Sequence, residues 1–372
     1  MRGEKTYLWQ RAFWPNLTFD ASALIQPLAE FHEQRGRLHG SLEPLAVPSR
    51  DETALRAFTL DAVRTSLIEG ETLDETLVRS SFARRLGIDE KSTRASTRSV
   101  DGLVELLLDV VRGSGEPLTV RRMLEWHTRL FAQSGRAAAR LEVGKWRTAA
   151  SGPMQVVSGP IGRQRVHFEA PPPTRLAAEM TSFVTWFESI EQLDPAVKAG
   201  LAHLRFVTVH PFADGNGRIA RALGDLVLAR ADGEYMRFYS VSSQIADERD
   251  DYYRILESTQ RGECNVTKWL TWFIACATRA VQAARQTARE IASREESWKR
   301  ISGVPLNDRQ SRILKKLLHN FKGNLTSTKW AKLTKCSPDT ALRDLQDLLN
   351  KGVLVRSISG GRSTSYVLPP QE

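Results

Sequence analysis

The chain has 372 residues, of which 41% are hydrophobic and 26% are charged, and its formal net charge is +10. This composition is ordinary for a globular protein with room for two or three domains. No apolar run reaches the roughly 18–20 residues that a membrane-spanning helix needs, and the first residues make a poor signal peptide. Three scattered cysteines without CxxC spacing argue against a disulfide framework or a zinc site and predict a cytoplasmic protein.

The first three hundred residues have a mainly helical pattern. Residues 1–50 contain an aromatic-rich opening, a helical stretch and the segment EPLAVPSRDE, whose two prolines predict a linker. From Thr53 to about Ser297, apolar residues recur three and four positions apart, which predicts helices. The exception is a β-hairpin predicted at Met154–Ser158 and Gln164–Glu169, where two β-prone runs flank the turn Gly-Pro-Ile-Gly. The fold class is therefore predicted as mainly α with one hairpin.

A different pattern begins at about Pro305. Two helices are predicted first, followed by SPDTALRDLQDLLNKG with Ser337 as N-cap, Pro338 at the first helical position and Gly352 after the end. Two strands around a Gly-Gly turn close the chain. Three helices followed by a hairpin resemble a winged helix-turn-helix domain over residues 305–369.

The charge of this last part makes a DNA-binding regulator an alternative. Residues 305–372 hold 12 Lys and Arg against 5 Asp and Glu. However, the helix PDTALRDLQDLLN carries Asp339, Asp344 and Asp347 against the single Arg343, and carboxylates oppose entry into a DNA groove. A packing or partner-docking domain is therefore favoured over a DNA reader.

The run HPFADGNGR, at residues 210–218, is the most informative stretch. Asp194 and Pro195 can begin a helix that ends at His210, and Pro211 stops it. The two glycines of ADGNG would each cost about 1 kcal/mol inside a helix, so a tight loop is predicted there. RIARALGDLVLAR then forms a second helix, whose N-terminus favours an anion.

The charged residues of this run indicate phosphate chemistry. Arg218 and Arg221 share one face of the first helical turn, and guanidinium groups suit phosphate oxygens. Asp214 is a suitable ligand for Mg²⁺, which one or two carboxylates and substrate phosphates usually hold, and His210 is a titratable base. Together these residues predict phosphoryl or nucleotidyl transfer.

The residues from His210 to Arg221 match the signature HxFx(D/E)GNGRxxR at every specified position. The chain therefore resembles the Fic family of protein adenylyltransferases. The resemblance implies a helical Fic core over residues 51–300 with a flap at about 154–169. It also implies transfer of AMP from ATP to a Ser, Thr or Tyr hydroxyl of a target protein and of the enzyme itself. Homodimerisation is compatible with the family, and the target is not identifiable from the sequence.

The resemblance assigns a role to each residue of the motif. His210 would accept the proton of the target hydroxyl, and Asp214 would hold Mg²⁺ between the α- and β-phosphates of ATP. Arg218 would bind the distal phosphate and Arg221 the middle of the phosphate chain, while Phe212 would point into the core. The anion pocket would be formed by Gly215, Asn216 and Gly217.

Outside the motif, the resemblance points to the flap and to one further helix. An extended segment of the target would pair with the edge of the flap, where Val157 would also line the nucleotide site. Tyr252 and Tyr253, in DDYYRIL, would lie near the adenine. Two tyrosines on a helix are equally compatible with packing.

The stretch TSLIEG, at residues 65–70, fits the inhibitory motif (S/T)xxxE(G/N) of Fic proteins. Thr65 and Glu69 share one face of a helix predicted over about 54–70, and Gly70 is placed to end it. Glu69 is expected to pair with Arg218 and so to misalign the α-phosphorus of ATP. A misplacement of about 1 Å can cost on the order of 100-fold in rate, so a mostly inactive resting enzyme is predicted.

Alternatives within the same fold remain open. Some relatives use the same glutamate to remove AMP, and others transfer phosphocholine, UMP or a single phosphate. The complete pair Arg218 and Arg221 favours AMP transfer. Neither GxxxxGK(S/T) nor HExxH occurs in the chain.

Overall fold

The computed structural model describes residues 6–88, 96–131, 142–160, 163–189, 192–233, 236–319, 321, 323–357 and 364–369. It divides into two compact units, Met1–Ala288 and Arg289–Glu372. Helices dominate in both units, which confirms the mainly α fold class. No helix within the described ranges has the length and apolar character needed to cross a membrane.

The first unit contains ten helices among its described residues and also the start of an eleventh, in which the division falls. They are α1 (Ala21–Leu42), α2 (Val47–Ile68), α3 (Glu75–Leu86), α4 (Arg98–Arg112), α5 (Val120–Phe131), α6 (Leu176–Phe187), α7 (Pro195–Val209), α8 (Asn216–Asp232), α9 (Val241–Asp247), α10 (Arg249–Gln260) and α11 (Thr267–Ser302).

Helices α7 and α8 form the centre of the first unit. Asp194 caps α7 by accepting a hydrogen bond from Ala196 N, and Pro195 takes the first helical position, as the sequence predicts. Almost every side chain of α7 and most of α8 are buried, and the two helices pack against each other. The short loop between them carries the HPFADGNGR motif and is thereby fixed to the core on both sides.

The predicted linker EPLAVPSRDE is wrong over most of its length. Helix α1 ends at Leu42, and α2 already begins at Val47 with Pro48 in its first turn. Proline is favoured at the start of a helix because its missing N–H would have no partner there and its φ suits the helix. Pro48 therefore lies in the first turn of α2. Helix α2 is the predicted inhibitory helix, and it begins at Val47 rather than at about residue 54.

The predicted hairpin consists of β1 (Gln155–Ser158) and β2 (Arg165–Glu169). The strands pair antiparallel, with a register shift between Val156 and Val157. Arg261, which caps α10, donates from its guanidinium to the carbonyl oxygens of His167 and Val166 (2.8 and 2.7 Å). Strand β2 is thus anchored to α10, while all four residues of β1 are exposed. Part of the predicted turn, residues 161–162, lies outside the described residues.

The second unit has a core of its own. Its elements are the end of α11, then α12 (Asp308–His319), α13 (Ser327–Thr334), α14 (Pro338–Asn350), β3 (Val355–Arg356) and β4 (Tyr366–Val367). Trp330, Leu345 and Leu348 are buried in that core. Leu325, between α12 and α13, accepts a hydrogen bond from Tyr366 N (2.9 Å) and so pairs with β4. Assignment to the winged-helix class stays a prediction, and the Gly-Gly turn lies outside the described residues.

Candidate active site

His210 ends helix α7 in a strained backbone conformation. Its φ and ψ are 49° and 57°, in the left-handed region that non-glycine residues rarely adopt. Its ring Nδ1 lies 3.2 Å from Val207 O. A carbonyl oxygen only accepts, so Nδ1 carries the proton and Nε2 keeps its lone pair. Burial lowers the pKa of His210 to about 4, which leaves the ring neutral at pH 7.

Arg147 holds His210 in this conformation, a role that no sequence motif indicates. Its Nε donates to His210 O (2.8 Å), and its Nη2 donates to Pro171 O (2.6 Å) beyond the hairpin. Its backbone N–H donates to Pro211 O (2.9 Å). The guanidinium is buried, and burial lowers its pKa to about 10. One side chain therefore joins the catalytic candidate to the base of the flap.

The loop after His210 is closed by Asn216. Its Oδ1 accepts from Phe212 N (2.9 Å), and its Nδ2 donates to Phe212 O (2.8 Å). Asn216 is 2% exposed and Phe212 is fully buried, so the ring points into the core as the resemblance implies. Gly215 has a φ of 80°, and a Cβ there would lie 2.9 Å from the Phe131 ring. The loop is therefore rigid and fits tightly on α5.

His127 supports the same loop from α5 and was not singled out in the sequence. Its ring stacks on Phe212 with centroids 4.0 Å apart, and its Nδ1 accepts from Gly144 N (2.9 Å). Its Nε2 must then carry the proton, which it donates to Asp214 O (3.2 Å). Burial lowers the pKa of His127 to about 4 and keeps it neutral.

Asp214 presents its carboxylate to solvent at the mouth of the loop. Its Oδ1 accepts from Gly215 N (2.6 Å). Among the described residues no group of three or more His, Cys, Asp or Glu could hold a metal ion. A lone carboxylate nevertheless fits Mg²⁺ when the substrate's phosphates supply the other oxygens.

The two arginines of α8 lie against the end of α2, and the predicted pairing of Glu69 with Arg218 is wrong. Arg221 donates to Thr65 Oγ1 (2.7 Å), to Thr65 O (3.0 Å) and to Glu69 Oε1 (2.8 Å). Arg218 instead donates to Glu71 Oε2 (2.8 Å). Glu69 follows the last turn of α2 and stays beside Thr65, whereas Gly70, with a φ of 83°, turns the chain and brings Glu71 to Arg218.

The Glu69 carboxylate occupies the N-terminus of α8. A Cβ on Gly217 would lie only 2.2 Å from Glu69 Oε1, so a glycine is needed for this approach. Burial opposes ionisation of Glu69, but the guanidinium of Arg221 outweighs it, so the pKa of this carboxyl is below its ordinary value. An ionised carboxylate thus fills the position where free N–H groups favour a phosphate.

The guanidinium groups of Arg218 and Arg221 each have one buried N–H group without a hydrogen-bond partner among the described residues. Arg218 Nε and Arg221 Nη1 are buried and have no partner within the part of the chain that the structure describes. Arg218 also lies over the Phe131 ring, 5.2 Å from its centroid. Buried donors without partners are costly, and an anion with several oxygens would satisfy them.

The remaining predicted residues lie around this centre. Tyr252 is 2% exposed, and its hydroxyl is 3.0 Å from His203 Nε2 in the core. Tyr253 is 40% exposed and donates to Ile68 O (3.3 Å), at the end of α2. Of the two tyrosines, Tyr253 is the one with surface for a ligand. Val157 is 39% exposed on β1. Contact of these residues with a nucleotide stays a prediction.

Two segments of the chain match protein families. Residues 117–228 match the Fic/DOC family, and residues 7–88 match a domain of unknown function, DUF4172. Residues 117–228 thus match a Fic/DOC domain, which confirms the resemblance read from the motif.

Named relatives match about half of the chain. Protein adenylyltransferase Fic of Nematostella vectensis is 27% identical over 220 residues, which are 58% of this chain and 46% of that protein. Protein adenylyltransferase fic-1 of Caenorhabditis elegans is 30% identical over 189 residues, 48% of this chain and 34% of that protein. The chain therefore spans less than half the length of these relatives.

Solved structures show the same fold. A Fic family protein from Desulfovibrio desulfuricans G20 superposes with a TM-score of 0.57 at 21% identity, covering 96% of this chain and 99% of that one. A Fic-domain-containing signaling protein from Bacteroides thetaiotaomicron has a TM-score of 0.52 at 23% identity, covering 70% of this chain and 97% of that one.

Proposed function

We propose that this protein is an adenylyltransferase that moves AMP from ATP to a hydroxyl group of a target protein. The observation that carries the proposal is the N-terminus of α8. Two buried guanidinium groups with unused donors face the same turn, next to a neutral imidazole. Relatives named as protein adenylyltransferases support the same reaction.

The proposed reaction assigns a role to each of these groups. The target hydroxyl gives its proton to His210 Nε2 while its oxygen attacks the α-phosphorus of ATP. The bond from that phosphorus to the bridging oxygen breaks, and pyrophosphate leaves. Arg218 and Arg221 hold the β- and γ-phosphates and stabilise the charge that develops on them. Asp214 would hold Mg²⁺, which would neutralise phosphate charge when bound.

The resting enzyme is proposed to be inhibited by its own α2 segment. Glu69 and Glu71 each occupy one of the two guanidinium groups that the phosphates need. ATP must displace or rearrange both carboxylates before its α-phosphorus can be aligned for attack. The acceptor is proposed to be a Ser, Thr or Tyr side chain, on a target or on the enzyme itself. Homodimerisation stays a prediction.

Labelled ATP tests the reaction. Glu69→Gly protein is incubated with a lysate and with either α-³²P- or γ-³²P-labelled ATP. Label is expected on protein only from the α position, and His210→Ala in the same background should abolish it. His319→Ala, which removes an imidazole at the end of α12 in the second unit, is the matched control and should keep the activity.

Two outcomes would reject the proposed chemistry. Protein labelled from the γ position would identify a kinase. Full labelling by the His210→Ala variant would exclude this imidazole as the base. Mass spectrometry of the labelled proteins then identifies the acceptor side chain and its target.

A further inference from the structure

The second unit buries one of the three carboxylates of α14. Asp344 is 5% exposed, and its carboxylate accepts two hydrogen bonds from Arg309 (2.8 and 3.0 Å). It also accepts from Asn307 Nδ2 (2.9 Å) and from Trp330 Nε1 (3.4 Å). These contacts hold the pKa of Asp344 below its ordinary value despite burial. Asp344 is therefore a structural anion of the core.

A second carboxylate of α14 is also engaged within the unit. Asp347 accepts from Lys351 Nζ (2.6 Å) and from Gln310 Nε2 (2.8 Å). Of the three carboxylates of α14, only Asp344 is buried; Asp339 is exposed in the first turn, and the side chain of Asp347 is 45% exposed. The structure thus removes one of the three carboxylates, Asp344, from the outer surface, and Lys351 pairs with Asp347.

The exposed positions of α14 form one stripe. They recur three and four residues apart, which places them on a single face about 16 Å long. The stripe consists of Pro338, Asp339, Leu342, Arg343, Gln346 and Asn350.

The chemistry of this stripe matches the edges of base pairs. An arginine fork binds the acceptors of guanine, Gln and Asn side chains bind adenine, and an apolar side chain contacts the thymine methyl group. Arg343 makes no hydrogen bond or ion pair with another described residue, so its guanidinium is free to bind. Leu342 is 49% exposed and is the one large apolar side chain of the stripe.

Cationic side chains flank the stripe. Lys332 near the end of α13, Lys335 in the three-residue turn that precedes α14, and Arg356 on β3 are all exposed. Two helices joined by such a turn are the arrangement in which the second helix enters the major groove. The excess of 12 Lys and Arg over 5 Asp and Glu in residues 305–372 supplies attraction to phosphates.

We propose that the second unit binds duplex DNA, with the outer face of α14 in the major groove. A protein partner is less well supported, because Leu342 is the one large apolar side chain of the stripe and most of its other members are polar or charged. This function is separate from the proposed AMP transfer and does not depend on it.

Fluorescence anisotropy with the full-length protein and a labelled random-sequence duplex tests the proposal. Wild type should bind, and its affinity should fall steeply between about 50 and 200 mM salt. On a duplex selected for tight binding, Arg343→Ala should weaken binding roughly 5- to 150-fold, as expected for a lost base contact. Asp339→Asn should strengthen binding, because it removes the one exposed carboxylate of the stripe. Arg37→Ala, an exposed arginine on α1, is the matched charge control and should bind as wild type does.

Selection of bound duplexes from a random library measures sequence preference, which electrostatic attraction to phosphates alone would not produce. Wild type should enrich a defined sequence, and Arg343→Ala should lose the preference at one base position. Failure of wild type to bind at about 50 mM salt, or equal weakening by Arg343→Ala and Arg37→Ala, overturns the proposal. Unchanged circular dichroism and AMP-transfer activity of the variants exclude misfolding as the cause.

Discussion

Replacing Glu69 by glycine removes the carboxylate that occupies the N-terminus of α8, and it should activate the enzyme. The lost interaction is a charge-assisted hydrogen bond of 2.8 Å to Arg221, whose side chain is only 2% exposed. Such bonds contribute about 1.5–3 kcal/mol. The Glu69 side chain is 27% exposed, so the lower part of that range, about 1.5–2 kcal/mol, is appropriate. We expect an increase in AMP-transfer rate of about 10- to 30-fold.

The assay is the initial rate of α-³²P transfer at several ATP concentrations. The gain should be largest at low ATP, because carboxylate and phosphates compete for the same guanidinium. Glu69→Gln keeps the size of the side chain and removes its charge, and it should fall between wild type and Glu69→Gly. Glu33→Gly, an exposed glutamate on α1, is the matched control.

The inhibitory role is refuted if Glu69→Gly is no faster than wild type while it still binds ATP. It is also refuted if Glu69→Gln inhibits as strongly as the native glutamate, since the explanation rests on charge. Equal gains from the control Glu33→Gly would indicate an effect of surface charge.

Three further predictions follow from the contacts of the site. Glu71→Ala removes the half-exposed carboxylate that pairs with Arg218. In steady-state kinetics it should lower KM for ATP only about 2- to 5-fold, a smaller effect than that of Glu69→Gly, because exposed ion pairs are weak. Arg147→Lys loses the fork that holds His210 O and should lower kcat by on the order of 10- to 100-fold with little change in KM for ATP; unchanged kcat would contradict a positioning role. Burial lowers the pKa of His203 to about 3. As pH falls below about 6.5, this imidazole becomes protonated in the unfolded chain but stays neutral in the folded one, which favours unfolding. Tm should therefore drop as pH falls from about 6.5 to about 3, and less steeply in His203→Gln.

Local signals predicted the elements that carry the site. Asp194 and Pro195 at the start of α7, and Ser337 and Pro338 at the start of α14, gave correct helix starts because capping depends on near neighbours. The glycines of the motif likewise marked the loop before α8. The linker prediction at EPLAVPSRDE was wrong because a proline such as Pro48 is compatible both with a linker and with the first turn of a helix.

Contacts between distant segments could not be predicted in this way. Arg147 and His210 are 63 positions apart, and Glu71 and Arg218 are 147 positions apart. A lone arginine before a hairpin has no local partner that would single it out. The choice of Arg221 for Glu69 depends on the last turn of α2, which keeps Glu69 beside Thr65, and the turn at Gly70 directs Glu71 to Arg218.

The glycine at position 217 limits the mutations by which the proposed inhibition could be lost during evolution. Glu69 Oε1 takes up the space that a β-carbon at this position would fill. In the proposed active state a phosphate would approach the same bare backbone. A side chain at position 217 would then exclude the substrate together with the glutamate, so under the proposed mechanism we expect changes in the α2 segment, rather than at Gly217, to release the inhibition.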